Sequence, residues 1–226
     1  MTKAVIFDMD GTLFQTDKIL ELALDETFSH LRSLNLWTAD TPIDTYREIM
    51  GVPLPTVWEI LLPEHSNEIR QQADAYFLEK LVVNIKSGKG ALYPNVPEIF
   101  RFLRENNLKI FIASNGLTEY LQAIVTYYNL EKWVTETFSI EQIHSLNKGD
   151  LVKIIIDKYE IKRGAVVGDR ISDIHAAKDN GLVAIGCNFD FANETELAQA
   201  DYVINDLSEL QHVIAKSNLF SKQIHY

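Results

Sequence analysis

Ala4-Val5-Ile6-Phe7-Asp8-Met9-Asp10-Gly11-Thr12-Leu13 sets a short apolar run directly against two carboxylates one residue apart. The run at residues 4–7 is β-branched in its middle and reads as a strand buried on both faces. Gly11 supplies backbone angles that other residues avoid, so the chain can turn sharply after the acids. In open α/β sheets ligands sit beyond the carboxyl ends of the strands, which puts Asp8 and Asp10 at the mouth of a site. A plain turn would also favour Asp and Gly. An EF-hand loop is excluded, because its glycine belongs at the sixth position with a glutamate further on. The residues that end the other strands decide between a turn and a site.

Downstream of Leu13 the periodicity changes from strand to helix. Thr16 or Asp17 can cap a helix whose Leu20, Leu24, Phe28 and Leu31 share a face. Thr41-Pro42 opens a second helix with proline in its preferred first turn, ending before Gly51. Residues 52–63 are proline-rich with a short helical piece around Trp58, and the last helix of this block carries Ile69, Ala73, Tyr76, Phe77, Leu81 and Ile85 as its apolar stripe. No strand is expected between Gln15 and Lys86. From Pro94 onward helices and strands alternate: helices at 96–106, 117–128, 149–159, 172–180 and 207–216, and strands at 109–113, 137–140, 165–167, 182–186 and 202–204. Such alternation means βαβ units, a parallel sheet and all strand ends on one rim. The expected fold is α/β: a Rossmann-like parallel sheet with helices on both faces, formed by residues 1–14 and 91–226, with an all-helical domain inserted at 15–90.

Composition narrows the function. The chain has 226 residues, 46% hydrophobic, and a formal net charge of −11. That acidity argues against nucleic-acid or anionic-membrane partners, both of which need a basic surface. A small anionic substrate is still allowed, because a metal and a few cations can dominate one cleft. No apolar run reaches transmembrane length, and a strand beginning almost at Met1 leaves no room for a signal peptide. One cysteine, Cys187, permits no internal disulfide and suits a reducing compartment, so a cytoplasmic protein is expected. The six histidines show no metal-ligand spacing. Ser87-Gly88-Lys89-Gly90 lacks the pattern of a phosphate-binding P-loop and reads as the way out of the insertion. Asn193-Glu194-Thr195 matches a glycosylation acceptor only by chance.

The residues that end each strand carry the chemistry. The first strand stops at Asp8 and Asp10, the next at Ser114 and Asn115, and a later one at Gly168-Asp169. Lys148 precedes a helix start, and Asp173 lies four residues past Asp169. Carboxylates gathered on one rim need a cation between them, and hard oxygen ligands suggest Mg²⁺. Lys148 adds a point charge suited to phosphate. The Ser114 hydroxyl and backbone N–H groups near Asn115 can donate to the same anion.

This ordered set resembles the haloacid dehalogenase superfamily over essentially the whole chain. The motif DxDGT is Asp8-Met9-Asp10-Gly11-Thr12, the hydroxyl motif is Ser114, the lysine is Lys148, and the acidic motif is Gly168-Asp169 with Asp173. The helical insertion is similar to the α-helical cap of the phosphoglycolate phosphatase-like subgroup. The resemblance implies a Mg²⁺-dependent phosphatase acting on a small phosphorylated metabolite: phosphoglycolate, a sugar phosphate or a nucleotide monophosphate. Asp8 is implied as nucleophile forming an aspartyl-phosphate, Asp10 as general acid and base, and Ser114 and Lys148 as stabilisers of the phosphoryl oxygens. Asp8, the Asp10 carbonyl and Asp169 would hold the metal, with Asp173 supporting them by hydrogen bonding. Gly11, Thr12 and Asn115 are placed at the phosphate. Arg47 is either a solvated helical arginine or a substrate contact. Gln15, Gly149 and Arg170 depart from the subgroup's usual residues but remove no reacting group. A phosphomutase keeps every motif and is the alternative. A dehalogenase should lack Asp10, a phosphonate hydrolase usually lacks it too and needs a cap amine, and a silent binding module should have lost a reacting residue. A monomer or a homodimer fits equally well.

Overall fold

The computed structural model describes residues 2–49, 54–190 and 192–216. Among these, six strands form one sheet in the order β3-β2-β1-β4-β5-β6, every neighbouring pair parallel. They are β1 (Thr2–Phe7), β2 (Lys109–Ser114), β3 (Glu136–Ser139), β4 (Ile161–Gly168), β5 (Val183–Cys187) and β6 (Tyr202–Ile204). β1 lies in the middle with β2 and β4 on either side, its Phe7 paired in register with Ile112 and Val167. The chain's direction of growth across the sheet reverses at β1, so its carboxyl end opens at the switch point where α/β proteins place ligands.

Ala4 through Phe7 have no exposed surface. Successive side chains alternate between the two faces. Ala4 and Ile6 join Phe111, Ala113, Val166 and Ala184 in a cluster with Leu151, Val152, Ile155, Ile174 and Ala177. Those last residues belong to α7 (Lys148–Tyr159) and α8 (Ile171–Asp179). Phe7 points the other way and packs on Phe100 of α5 (Val96–Glu105), ring centroids 5.3 Å apart. A strand that is apolar on both sides has to be covered by helices on both sides, which is why β1 carries no alternation.

The chain divides into two compact units, residues 1–15 with 91–226, and Thr16–Gly90. Gln15 falls in the sheet-bearing unit because its backbone N–H donates to the Ala91 carbonyl at 2.9 Å and its amide to the Leu92 carbonyl at 2.7 Å. The helical unit contains α1 (Asp17–Ser33), α2 (Ile43–Glu48), α3 (Leu54–Leu61) and α4 (Asn67–Lys86). Its centre is aromatic: Phe28 packs edge-on to Trp37, and Trp58 edge-on to Phe77. Residues 87–90 close α4, with the Lys89 N–H bonded to the Asn84 carbonyl and the Gly88 N–H to that of Ile85.

Several expected details differ. The buried face of α1 runs through Ile19, Ala23, Leu24, Thr27, Phe28 and Leu31, and Leu20 is only half-buried at its edge. Pro42 precedes α2 and caps it, so Ile43 is the first helical residue. The helical piece around Trp58 is α3, which already includes Leu54 and Pro55 in its first turn, while Gly51 and Val52 lie outside the described residues. β4 begins at Ile161, ahead of the apolar run, where the ladder to β1 extends to Thr2. A further four-residue helix, α9 (Glu194–Leu197), starts where the Asn193 side chain accepts the N–H groups of Thr195 and Glu196. The tripeptide that mimics a glycosylation acceptor is thus a helix cap.

Candidate active site

The sheet delivers the rim residues one strand at a time. Asp8 continues β1, its N–H still bonded to the Val167 carbonyl at 2.9 Å. The chain then folds tightly: the Met9 carbonyl accepts the N–H groups of Leu13 and Phe14, both at 2.9 Å. Gly11 makes the turn possible at φ +73°, and a Cβ there would stand 2.5 Å from Oδ2 of Asp169. Thr12 donates its hydroxyl to Oδ1 of the same carboxylate at 3.2 Å. The DxDGT loop is therefore built against the acid that ends β4.

Carboxylate oxygens of Asp8, Asp169 and Asp173 lie within 4.8 Å of one another, and all three residues are buried. The Lys148 ammonium, 5% exposed, bonds to Asp8 Oδ1 and reaches Asp173 Oδ1 at 2.5 Å. Asp173 also accepts the Arg170 N–H at 3.1 Å, which ties it to the first turn of its own helix. This crowding sets the electrostatics. Burial, the largest effect, holds the Asp8 carboxyl well above the ordinary carboxylate range; Lys148 pulls it down, and Asp173, Asp169 and Asp10 push it further up. Burial, then Asp173, pushes Asp169 up to about 7. Burial disfavours the Lys148 ammonium, but Asp173 and Asp8 outweigh it and its pKa lies above the usual lysine value. Burial and then the neighbouring acids raise the Cys187 thiol at the end of β5, which makes it a packing residue and not a nucleophile.

Three buried acids against one ammonium leave negative charge uncompensated where water cannot reach it. Oxygen donors so placed fit a hard divalent cation such as Mg²⁺. Asp10 stands apart from this set. Its Oδ1 accepts the Tyr120 hydroxyl at 2.5 Å, from the first turn of α6 (Thr118–Tyr127). Ser114 ends β2, buried, and its Oγ accepts the Gly116 N–H at 3.0 Å. The Gly116 carbonyl in turn receives the Ser139 hydroxyl at 2.7 Å, so the β2 and β3 ends fix one loop. Asn115 is exposed at that loop. Arg47 belongs to the helical unit, ion-paired to Glu21 at 2.5 Å and to Asp44 at 3.2 Å.

Sequence reasoning missed two residues here. Tyr120 gave no signal beyond its place six residues after Ser114. Glu196, on α9, accepts the Ile171 N–H at 2.8 Å and pairs with Arg170 Nε at 3.3 Å, so it anchors the turn that carries Asp169 into α8. A negative charge at a helix start is favourable, but nothing in the sequence announces a four-residue helix that supplies one.

Several known proteins resemble this chain over most of its length. Phosphoglycolate phosphatase of Aquifex aeolicus is 25% identical over 184 residues, covering 79% of this chain and 81% of its own. Pyrophosphatase PpaX of Listeria monocytogenes is 21% identical over 217 residues, covering 93% and 95%. The crystal structure of a predicted phosphoglycolate phosphatase from Haemophilus somnus superposes with a TM-score of 0.81 at 20% identity, over 94% of this chain and 97% of that one. Residues 2–181, or 180 of the 226, match the haloacid dehalogenase-like hydrolase family, and the chain belongs to that family.

Proposed function

We propose that this phosphatase, as its family and relatives make it, hydrolyses small phosphorylated metabolites with Mg²⁺ through a phosphoryl group carried on Asp8. The observation that carries the proposal is the buried set of Asp8, Asp169 and Asp173 around Lys148. Asp8 and Asp169, with the Asp10 carbonyl, would hold the metal, and Asp173 would support them through Lys148 and the Arg170 N–H. When bound, the ion supplies the positive charge that keeps these acids ionised and draws off charge from the phosphoryl oxygens.

The chain's own residues do the rest. An Asp8 oxygen attacks phosphorus as the bond to the substrate oxygen breaks, and the Asp10 carboxyl gives its proton to that leaving oxygen. Asp10, now a carboxylate, takes a proton from water as the water oxygen attacks phosphorus. The bond to Asp8 breaks, inorganic phosphate leaves, and both acids return to their starting states. Lys148 and the Ser114 hydroxyl stabilise the transferring group, which is the main demand of phosphoryl transfer. Thr12, Gly11 and Asn115 shape the phosphate's surroundings.

Phosphoglycolate, sugar phosphates and nucleotide monophosphates are the proposed substrate range. Among the described residues no helix is long and apolar enough to cross a membrane, and with one buried cysteine the cytoplasm is the proposed location. A screen of phosphorylated metabolites, run with Mg²⁺ and with EDTA, tests the reading. Phosphate release from some compounds in Mg²⁺ and none in EDTA is expected. Release that EDTA leaves untouched, or a sugar phosphate isomerised without release, would replace it with a metal-free reaction or a phosphomutase.

A further inference from the structure

Tyr120 is a buried polar group at the rim that the proposed chemistry leaves unused. It is 4% exposed, and its hydroxyl donates to Oδ1 of Asp10 at 2.5 Å. The ring is held from two sides. Phe14, at the end of the loop that carries Asp10, meets it edge-on with centroids 6.5 Å apart. Gly116, on the loop after Ser114, lies so close that a Cβ there would sit 3.1 Å from Tyr120 Cδ1. Tyr120 therefore touches both the acid-bearing loop and the serine-bearing loop.

A carboxyl group has two chemically equivalent oxygens and rotates about its last bond. Proton transfer at phosphorus needs one of them in a fixed place relative to the leaving oxygen. A phenol aimed at Oδ1 removes that freedom, so the carboxyl presents a set orientation to the leaving oxygen. The bond is no automatic result of packing. Tyr128, in the same aromatic cluster with its ring 6.0 Å from Phe14, has a buried hydroxyl that meets no hydrogen-bond partner among the described residues. The cluster thus accommodates a phenol without giving it an acceptor.

We propose that Tyr120 is a positioning residue for Asp10, fixing the orientation in which its carboxyl protonates the leaving group. The proposal rests on reading Asp10 as the acid and base of a phosphatase. Its signature is dependence on the leaving group. An alkoxide must be protonated as it departs, whereas p-nitrophenolate leaves unaided, so misplacing the proton donor penalises alkyl esters alone.

The test compares Tyr120→Phe with Tyr128→Phe, each the loss of one oxygen from the same cluster, with melting temperatures reporting that both remain folded. Single-turnover phosphoryl transfer is measured with p-nitrophenyl phosphate and with an alkyl phosphate that the wild type hydrolyses. Tyr120→Phe should slow the alkyl ester by about 10-fold or more, part of what a general acid supplies, and the aryl ester by less than about 3-fold. Tyr128→Phe should leave both rates within about 2-fold, as surface or unpartnered groups do. Equal losses on the two esters, or identical behaviour of the two variants, overturns the role of Tyr120. A wild-type chain that releases phosphate from none of the esters screened to choose this pair overturns the phosphatase reading instead.

Discussion

Lys148 and Arg47 each face two carboxylates, one cluster in the sheet-bearing unit and one in the helical unit, and burial separates them. Side chains of Lys148, Asp8 and Asp173 are 4%, 8% and 2% exposed, whereas Arg47 is 51% exposed and Asp44 94%. Around Arg47 water screens every charge, the ion pairs are optional, and any of the three residues could be lost with little effect. Around Lys148 nothing screens them. There a third acid, Asp169, sits within reach of the first two, so the balance of charge is unfavourable unless another cation enters. A cluster that costs stability at rest and lies at the carboxyl ends of strands is the mark of a working site.

The sharpest way to break that contrast is Asp8→Asn. Activity should fall by at least ~10⁴-fold, the scale of losing a nucleophile, while far-UV circular dichroism stays the same. Substantial turnover by this variant would remove Asp8 from the chemistry. Lys148→Met comes next, since it strands three buried acids without their ammonium. Phosphatase activity should drop by about 10²–10³-fold, and in EDTA the unfolding free energy should fall by about 3–5 kcal/mol. A denaturant titration with no shift would mean that the acids are solvated.

The same contrast predicts a pH dependence. Asp169 titrates at about 7 in the folded chain against an ordinary value of 3.8. Between those values the folded state keeps a proton that the unfolded state has released. The fold is therefore favoured at the acid end of this window and loses stability as pH rises through about 7. Melting temperatures in EDTA should decline between pH ~5 and ~8, Mg²⁺ should flatten the curve, and Asp169→Asn should reduce the slope. A metal-free melting temperature that rises over this range would show the acids to be better compensated than they are here. The smallest effect belongs to Arg47→Ala: no measurable change in melting temperature, and kcat/KM for p-nitrophenyl phosphate within about 2-fold of wild type. A loss confined to larger substrates would make Arg47 a specificity residue.

How much of the site was legible in the sequence depended on the kind of signal. Asp8 and Asp169 come directly after apolar strands and Ser114 is the last residue of one, and a parallel sheet converts such positions into neighbours with no further information. Lys148 and Asp173 sit in first helical turns that the same topology points at the rim. Tyr120 also lies in a first turn, but whether it reaches Asp10 depends on the roll of α6 and on the close approach at Gly116, which no periodicity encodes. Glu196 sits on a helix of four residues, shorter than the window over which a helical period can be seen. On α1 the pattern gave the helix but displaced its face, because Leu20 lies at the margin of the stripe that Ile19 and Ala23 centre.

The central position of β1 has a consequence for how the molecule is made. A ribosome releases Thr2–Phe7 roughly a hundred residues before β2 at Lys109–Ser114, and the wait for β4 is longer still; at about 5–20 residues per second that is several seconds or more. During it, the strand that will be most deeply buried has no partner on either edge and no cover on either face. The residues between, Thr16–Gly90, form a compact unit around their own aromatic centre. Asp8 is synthesised early and acquires Asp169 and Asp173 last, so the cation-attracting set cannot assemble on a half-made chain.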